Sequence, residues 1–314
     1  MVQVDLITGF LGAGKTTFLR RYVRYLVEQG HNVCILENDF GAVNVDAMLV
    51  QDLLGPRCDL ETISGGCDCD THQRRMRTKL IAMAMRGFDR VVVEPSGIFD
   101  VDEFFDVLRD DPLDRWYQVG NVIAIVDAML PETLSPQAEY LLASETANAG
   151  RVLLSRTRQA GQAQTAAAAA HLTRALEGCK CSRRFAPEEI LTKDWAQLTE
   201  ADLAALASCG YRQASCEKLH FDEHEAFSSL CFLEQHLTLQ QLQAAADRLF
   251  ADRACGHVLR VKGFAPDLGG QTGWLELNAT AAGKTLAPIP QGQDVLIVIG
   301  EGLDKAAIEA RLKA

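Results

Sequence analysis

Residues Gly9–Thr17 read Gly-Phe-Leu-Gly-Ala-Gly-Lys-Thr-Thr, which sets glycines, a lysine and two hydroxyls at the spacing that wraps a phosphate chain. Gly12 and Gly14 free the backbone to turn successive N–H groups inward on phosphate oxygens. A helix starting here aims the positive end of its dipole at the same anion. The backbone of Gly12, Ala13, Gly14, Lys15, Thr16 and Thr17 is therefore the expected cradle. Lys15 reaches the β- and γ-phosphates, and the Thr16 hydroxyl is suited to Mg²⁺. A second piece is Val91-Val92-Val93-Glu94-Pro95-Ser96-Gly97, where three β-branched residues lead into an acid at a strand end. Glu94 can hold Mg²⁺ through water or position an attacking water. The plainer alternative is a strand-end acid facing solvent.

Cys67 and Cys69 lie two apart, so in an extended segment both sulfurs face one side. Thiolates suit Zn²⁺ or another soft or borderline ion, but two cannot close a tetrahedral shell. Asp70, His72, Asp39, water or a second subunit could complete it. An incomplete shell suits an ion that must be handed on. Asp70 also fits a helix N-cap, with Gln73 following. Cys179-Lys180-Cys181 reads as structural, and His220-x-Asp222-x-His224 as a solvated domain boundary. Trp116, Trp195 and Trp274 carry no cofactor signal.

Positioning these groups requires alternating strands and helices. Val2–Thr8, Asn32–Glu37, Arg90–Val93, Val122–Val126 and Arg151–Leu154 read as short buried strands, with Cys58–Ile63 a weaker sixth. Phe18, Tyr22 and Leu26, with Leu19, Val23 and Val27, form one face of a helix that ends near Gly30. Gln159–Glu177 is helical by its alanine run. The pattern predicts an α/β, doubly wound, mostly parallel sheet over 1–212. A smaller α+β domain is expected over 213–314, with strands at Phe227–Phe232, His257–Val261, Trp274–Leu277 and Val295–Ile299. Its helices are expected at Thr238–Phe250 and Leu303–Leu312.

The charge balance is acidic, 31 Lys+Arg against 42 Asp+Glu, which argues against a nucleic-acid partner. The basic run within His72–Arg86 reads as a solvated helix face. No apolar stretch is long enough for a membrane helix, and no secretory leader is expected at the N-terminus. Ten scattered cysteines then suggest reduced thiols and a cytoplasmic protein.

Taken together, the motifs resemble the CobW-like P-loop GTPases, a family of metal chaperones. The residues that carry the likeness are Gly9–Thr17, Glu37-Asn38-Asp39-Phe40-Gly41, Ser64-Gly65-Gly66-Cys67-Asp68-Cys69-Asp70 and Glu94-Pro95-Ser96-Gly97. Val122–Asp127, His257–Phe264 and Leu296–Asp304 add to it. The resemblance implies a GTPase domain followed by a small CobW C-terminal domain, with nucleotide state controlling a transition-metal site. It also implies a client metalloprotein and leaves a homodimer open. Departures are Asp39 for glutamate in the switch, Ala42 for a second acid and Asp70 for a third cysteine. The guanine-reading Asn-Lys-x-Asp is replaced by Ser155-Arg156-Thr157-Arg158, and arginine has donors only. Arg156 can still stack on a base, whereas Thr192-Lys193-Asp194 lacks the spacing to restore the motif. GTP is expected, with ATP as the alternative.

The resulting expectation is slow, Mg²⁺-dependent triphosphate hydrolysis using Lys15, Thr16, Glu94 and Asp39. In that scheme Asp39 reports the γ-phosphate to a Zn²⁺-type site at Cys67, Cys69 and Asp70. The rival is a nucleotide-binding regulatory or assembly module that docks a metalloenzyme or corrinoid protein with little turnover and no metal transfer. A small-molecule kinase is a more distant third, since no arginine-rich lid segment is evident.

Overall fold

The computed structural model describes residues 1–10, 12–39, 49–64, 69–95, 97, 101–214, 216–217, 227–267, 273–281, 283–289 and 292–313. At 38, 39, 64 and 69–72 it describes the backbone alone. Two compact units emerge, Met1–Phe40 with Val50–Leu219 and Gly41–Leu49 with His220–Ala314. The boundary proposed between 212 and 213 lies inside the first unit's longer stretch.

The first unit is built on seven strands: β1 (Val2–Thr8), β2 (Val33–Asp39), β3 (Cys58–Ser64), β4 (Arg90–Glu94), β5 (Tyr117–Asp127), β6 (Arg151–Ser155) and β7 (Ile190–Leu191). Every pairing is parallel, in the order β3-β2-β4-β1-β5-β6-β7. Central strands buried on both faces explain the near-continuous apolar runs of β1, β4 and β6. Helix α1 (Lys15–Glu28) buries Phe18, Leu19, Tyr22, Val23 and Leu26, the stripe expected from the sequence. The chain then turns at Gly30, whose φ of 93° suits glycine.

Further helices of this unit are α2 (Cys69–Met85), α3 (Val101–Arg109), α4 (Pro136–Ala147), α5 (Thr157–Gly178) and α6 (Glu200–Leu206). Ser135 caps α4, its hydroxyl accepting from Ala138 N–H at 3.1 Å, and Pro136 fills the first turn. The alanine run is helical, but α5 is broken at Gly161, where φ is 71° and ψ 175°. The basic helix face is solvated and locally neutralised: Lys79 pairs with Glu61 at 2.7 Å, and Arg86 with Asp59 and Glu61.

The second unit carries a five-stranded antiparallel sheet, β8 (Ser228–Leu233), β9 (His257–Pro266), β10 (Trp274–Thr280), β11 (Gly283–Ile289) and β12 (Val295–Glu301). Their order is β11-β10-β9-β12-β8. Helices α7 (Leu239–Ala251) and α8 (Lys305–Leu312) contribute Leu242, Ala245, Leu249, Ile308 and Leu312 to the core of this unit. The α+β expectation holds, and β11 is an addition to it. That strand is an exposed edge with Pro288 in it, so it lacks the alternation by which strands are read.

A charged cluster lies inside the first sheet. Asp5 is fully buried on β1 and accepts from Arg90 Nη1 at 2.5 Å and Tyr22 Oη at 2.8 Å through Oδ2. Its Oδ1 accepts from Asn121 N and Nδ2, each at 2.8 Å. Gly120 permits this approach, since a Cβ there would lie 2.4 Å from Asp5 Oδ1. Asn121 Oδ1 in turn accepts from Gly210 N–H at 2.9 Å, which ties the end of the first unit's chain to β5. A buried carboxylate with four donors is stable; the same donors without it are not. Asp5→Ala is therefore expected to lower unfolding free energy by about 3–5 kcal/mol, measured by urea denaturation, whereas Tyr22→Phe should cost only about 1 kcal/mol.

Candidate nucleotide site

The segment after β1 turns on three glycines with positive φ: Gly9 (139°), Gly12 (75°) and Gly14 (104°). Gly9 admits no side chain, because a Cβ there would fall 2.1 Å from the Ile125 carbonyl oxygen on β5. Gly14 caps α1 in a left-handed conformation, so the first helical N–H groups face the mouth of the turn. Lys15 is buried and folds back over the loop, donating to Gly9 O at 2.7 Å. The arrangement offers backbone donors, a helix N-terminus and one ammonium in a single concavity. That is an anion cradle.

Strand ends complete the site. Glu94 closes β4 and accepts from the Thr16 hydroxyl at 2.8 Å through Oε1. The alternative of a solvent-facing acid is set aside, since Glu94 is buried. A hydroxyl and a carboxylate already in contact at the head of the phosphate loop are hard oxygen donors suited to Mg²⁺. Sequence reasoning named Glu37 within the switch segment but gave it no role; it is buried on β2 with its Cα in register with that of Glu94. Its signal was available as an acid ending an apolar run, like Glu94.

Glu145 is a second residue that sequence reasoning missed. Buried on α4, it accepts from the Thr8 hydroxyl and from Gly9 N–H at 2.9 Å, fastening the start of the loop to the helix behind it. An acid among Leu141, Leu142, Ala143 and Ala147 was the available signal, since a charge on a buried helical face needs a partner.

Beyond the loop, Ser155 ends β6 in register with Asp127 of β5. Arg156 follows with φ 54°, a conformation unusual outside glycine. Its guanidinium donates to Asp127 and, at 3.0 Å, to Gly12 O, so it binds the loop backbone. Burial pushes the Asp127 carboxyl up from its ordinary range, against the opposing effect of Arg156. Trp195 also arrives at the loop: a Cβ on Gly14 would lie 3.3 Å from its ring and 3.8 Å from Ser155 Cβ. No cofactor signal was expected from Trp195, because sequence distance conceals that contact. Ser155 Oγ and Trp195 Nε1 are buried and have no hydrogen-bond partner among the described residues. Orphaned polar atoms beside a phosphate loop fit a polar ligand there.

Of the expected metal ligands, Cys67 lies outside the described residues, as do the side chains of Cys69, Asp70, His72 and Asp39. Among the described residues no group of three His, Cys, Asp or Glu could hold a metal ion. The N-cap alternative for Asp70 is corrected, because α2 opens at Cys69 and Asp70 stands inside its first turn. The His220–His224 cluster is likewise outside the described residues, and Cys179 and Cys181 are buried.

With this geometry in hand, the sequence relations are clear. Residues 3–182, more than half of the chain, match the family described as CobW/HypB/UreG, nucleotide-binding domain. The chain belongs to that family. It is 32% identical over 173 residues to the zinc chaperone YjiA of Escherichia coli (strain K12), across 52% of this chain and 52% of that one. To the zinc chaperone YeiR of the same organism it is 30% identical over 131 residues, 41% of this chain and 39% of the other. The chain thus spans about half or less of the length of these curated relatives. A solved structure of Zn(II)-bound YjiA GTPase from E. coli aligns with 99% of this chain and 98% of its own at 22% identity, with a TM-score of 0.38.

The state of the thiols decides their chemistry, since the thiolate is the nucleophilic and metal-ligating form. Burial first, and then neighbouring acids, push the Cys34 thiol from 9.0 up to about 12. Burial and Asp5 push Cys209 to about 12, and Cys58 rises to about 11. A shift from 9 to 12 lowers the thiolate fraction at pH 8 about a thousandfold. Cys34 and Cys209 are accordingly expected to alkylate with iodoacetamide at pH 8 at least about a hundredfold more slowly in native protein than in urea, read peptide by peptide by mass spectrometry.

Proposed function

We propose that this chain is a nucleotide-dependent metal chaperone or metallocentre-assembly protein that couples slow GTP hydrolysis to a Cys-x-Cys site for a Zn²⁺-type ion. The observation that carries the proposal is the Thr16–Glu94 contact at the head of a glycine-built anion cradle. The family relation and the names of the curated relatives, both zinc chaperones, support the metal half of the reading.

In this reading the backbone of residues 12–17 and the Lys15 ammonium bind the phosphates and offset the charge that builds during transfer. Thr16 and Glu94 would hold Mg²⁺, which supplies charge neutralisation at the phosphate oxygens. Glu37 stands beside Glu94 on the adjacent strand β2 and is suited to orient a water or a metal-proximal group. Asp39, two residues farther along β2, reports the presence of the γ-phosphate to the segment holding Cys67, Cys69 and Asp70. Those three would hold the metal as cargo. The partner is a client apo-metalloprotein, and the setting is the cytoplasm. No described helix is long and apolar enough to cross a membrane.

Phosphate release with GTP and Mg²⁺ tests the hydrolytic half. Lys15→Ala and Glu94→Gln are expected to lower it at least about a hundredfold. Turnover in the unaltered chain no higher than in Lys15→Ala would favour a binding module without hydrolysis. Zn²⁺ titration tests the other half: the double variant Cys67→Ser/Cys69→Ser should lose one equivalent of tightly bound metal, and unchanged stoichiometry would remove the site.

A further inference from the structure

An open cleft of about 800 Å³ lies beside the phosphate loop, with Thr157, Arg158 and Gln162 on one wall and Thr192, Asp194 and Gln197 on the other. Its position is set by the residues next to each wall. Ser155 and the Trp195 ring both close on Gly14, and Arg156 binds Gly12 O. The Asp194 wall is well held: Arg21 donates to the carbonyls of Trp195 and Leu198, Lys193 pairs with Asp202 at 2.6 Å, and Trp195 packs edge-on against Phe18 of α1. Asp194 Oδ1 accepts from Ala196 N–H at 3.1 Å, and a carboxylate has capacity for further donors.

We infer that Arg158 and Asp194, one from each wall of this cleft, read a guanine base in place of the motif that Ser155–Arg158 lacks. The inference rests on the nucleotide-binding reading above. Guanine presents O6 and N7 as paired acceptors, the edge that an arginine fork matches. Its N1–H and amino group form a donor pair, which a carboxylate matches. Adenine reverses the sign at both ring positions: it has an amino donor in place of O6 and an acceptor at N1. It therefore half-satisfies the arginine through N7 and offers the carboxylate no donor, whereas guanine satisfies both. Linear spacing hides the pair because Asp194 arrives from the loop after β7, on the far side of α5 in sequence.

Isothermal titration of the full chain with GDP, ADP and xanthosine diphosphate tests this, using the unaltered protein, Asp194→Asn, Arg158→Ala and Lys15→Ala. The unaltered chain is expected to prefer GDP over ADP by at least about tenfold. Arg158→Ala should narrow that ratio. Asp194→Asn should weaken GDP about tenfold and strengthen xanthosine diphosphate, because a carboxamide can donate to the xanthine C2 carbonyl. A misfolded variant would lose all three ligands, so a gain for xanthosine diphosphate cannot come from damage. Equal GDP and ADP binding by the unaltered chain, or a GDP/ADP ratio unchanged in both cleft variants, overturns the base reading alone. Binding no tighter than in Lys15→Ala overturns the nucleotide reading with it.

Discussion

Everything at this site depends on one constraint, the common direction of the seven strands in the first sheet. Parallel pairing sends all their carboxyl ends to one edge, where ligands of open α/β sheets bind. The register then decides which side chains meet there. Glu37 stands opposite Glu94, Asp127 opposite Ser155, and Thr8 is followed at once by the phosphate loop. A shift of one residue on β4 would turn Glu94 to the other face and remove it from Thr16. The apolar runs that bury these strands therefore also aim the chemistry.

That edge concentrates acids, so burial and charge must be reconciled residue by residue. Glu145 is spent on the Thr8 hydroxyl and Gly9 N–H, Asp127 on Arg156 and Met129 N–H, and Glu94 on Thr16. Each acid thus has a donor that also belongs to the loop or to a strand end. The Asp5 cluster does the same deeper in the sheet, where Arg90, Tyr22 and Asn121 converge on one carboxylate. Its bonds link β1, β4, β5 and α1, which hold the phosphate loop between them.

Much of this was legible in the sequence, for a physical reason. The phosphate loop is contiguous, and glycine, lysine and threonine there answer to local backbone geometry. Glu94 was readable because three β-branched residues announce a strand and the acid marks its end. By contrast, Glu145 and Trp195 reach the loop only through tertiary packing. They lie far from it in sequence, and a tryptophan in a polar turn looks like surface. The edge strand β11 was missed for the opposite reason: with little to bury it needs no alternation, so it leaves no pattern. Asp70 was placed two positions too far out, because an acid is compatible with both the cap and the first turn of a helix.

The segment Ser155–Arg158 keeps the frame of the site although it lacks the expected motif. Arg156, in a left-handed conformation, bonds at once to Asp127 on β5 and to the Gly12 carbonyl. It thereby pins the end of β6 to β5 and to the phosphate loop. A residue so occupied has N–H groups of its fork committed to protein, and on the inference above other groups of the cleft read the base. Among the described residues, α5 between Thr157 and Ala166 and the loop after β7 line that space. The degenerate motif is then not an empty position in the fold. Arg156 is a strut for the phosphate loop, and in the inference above selectivity falls to the walls on either side.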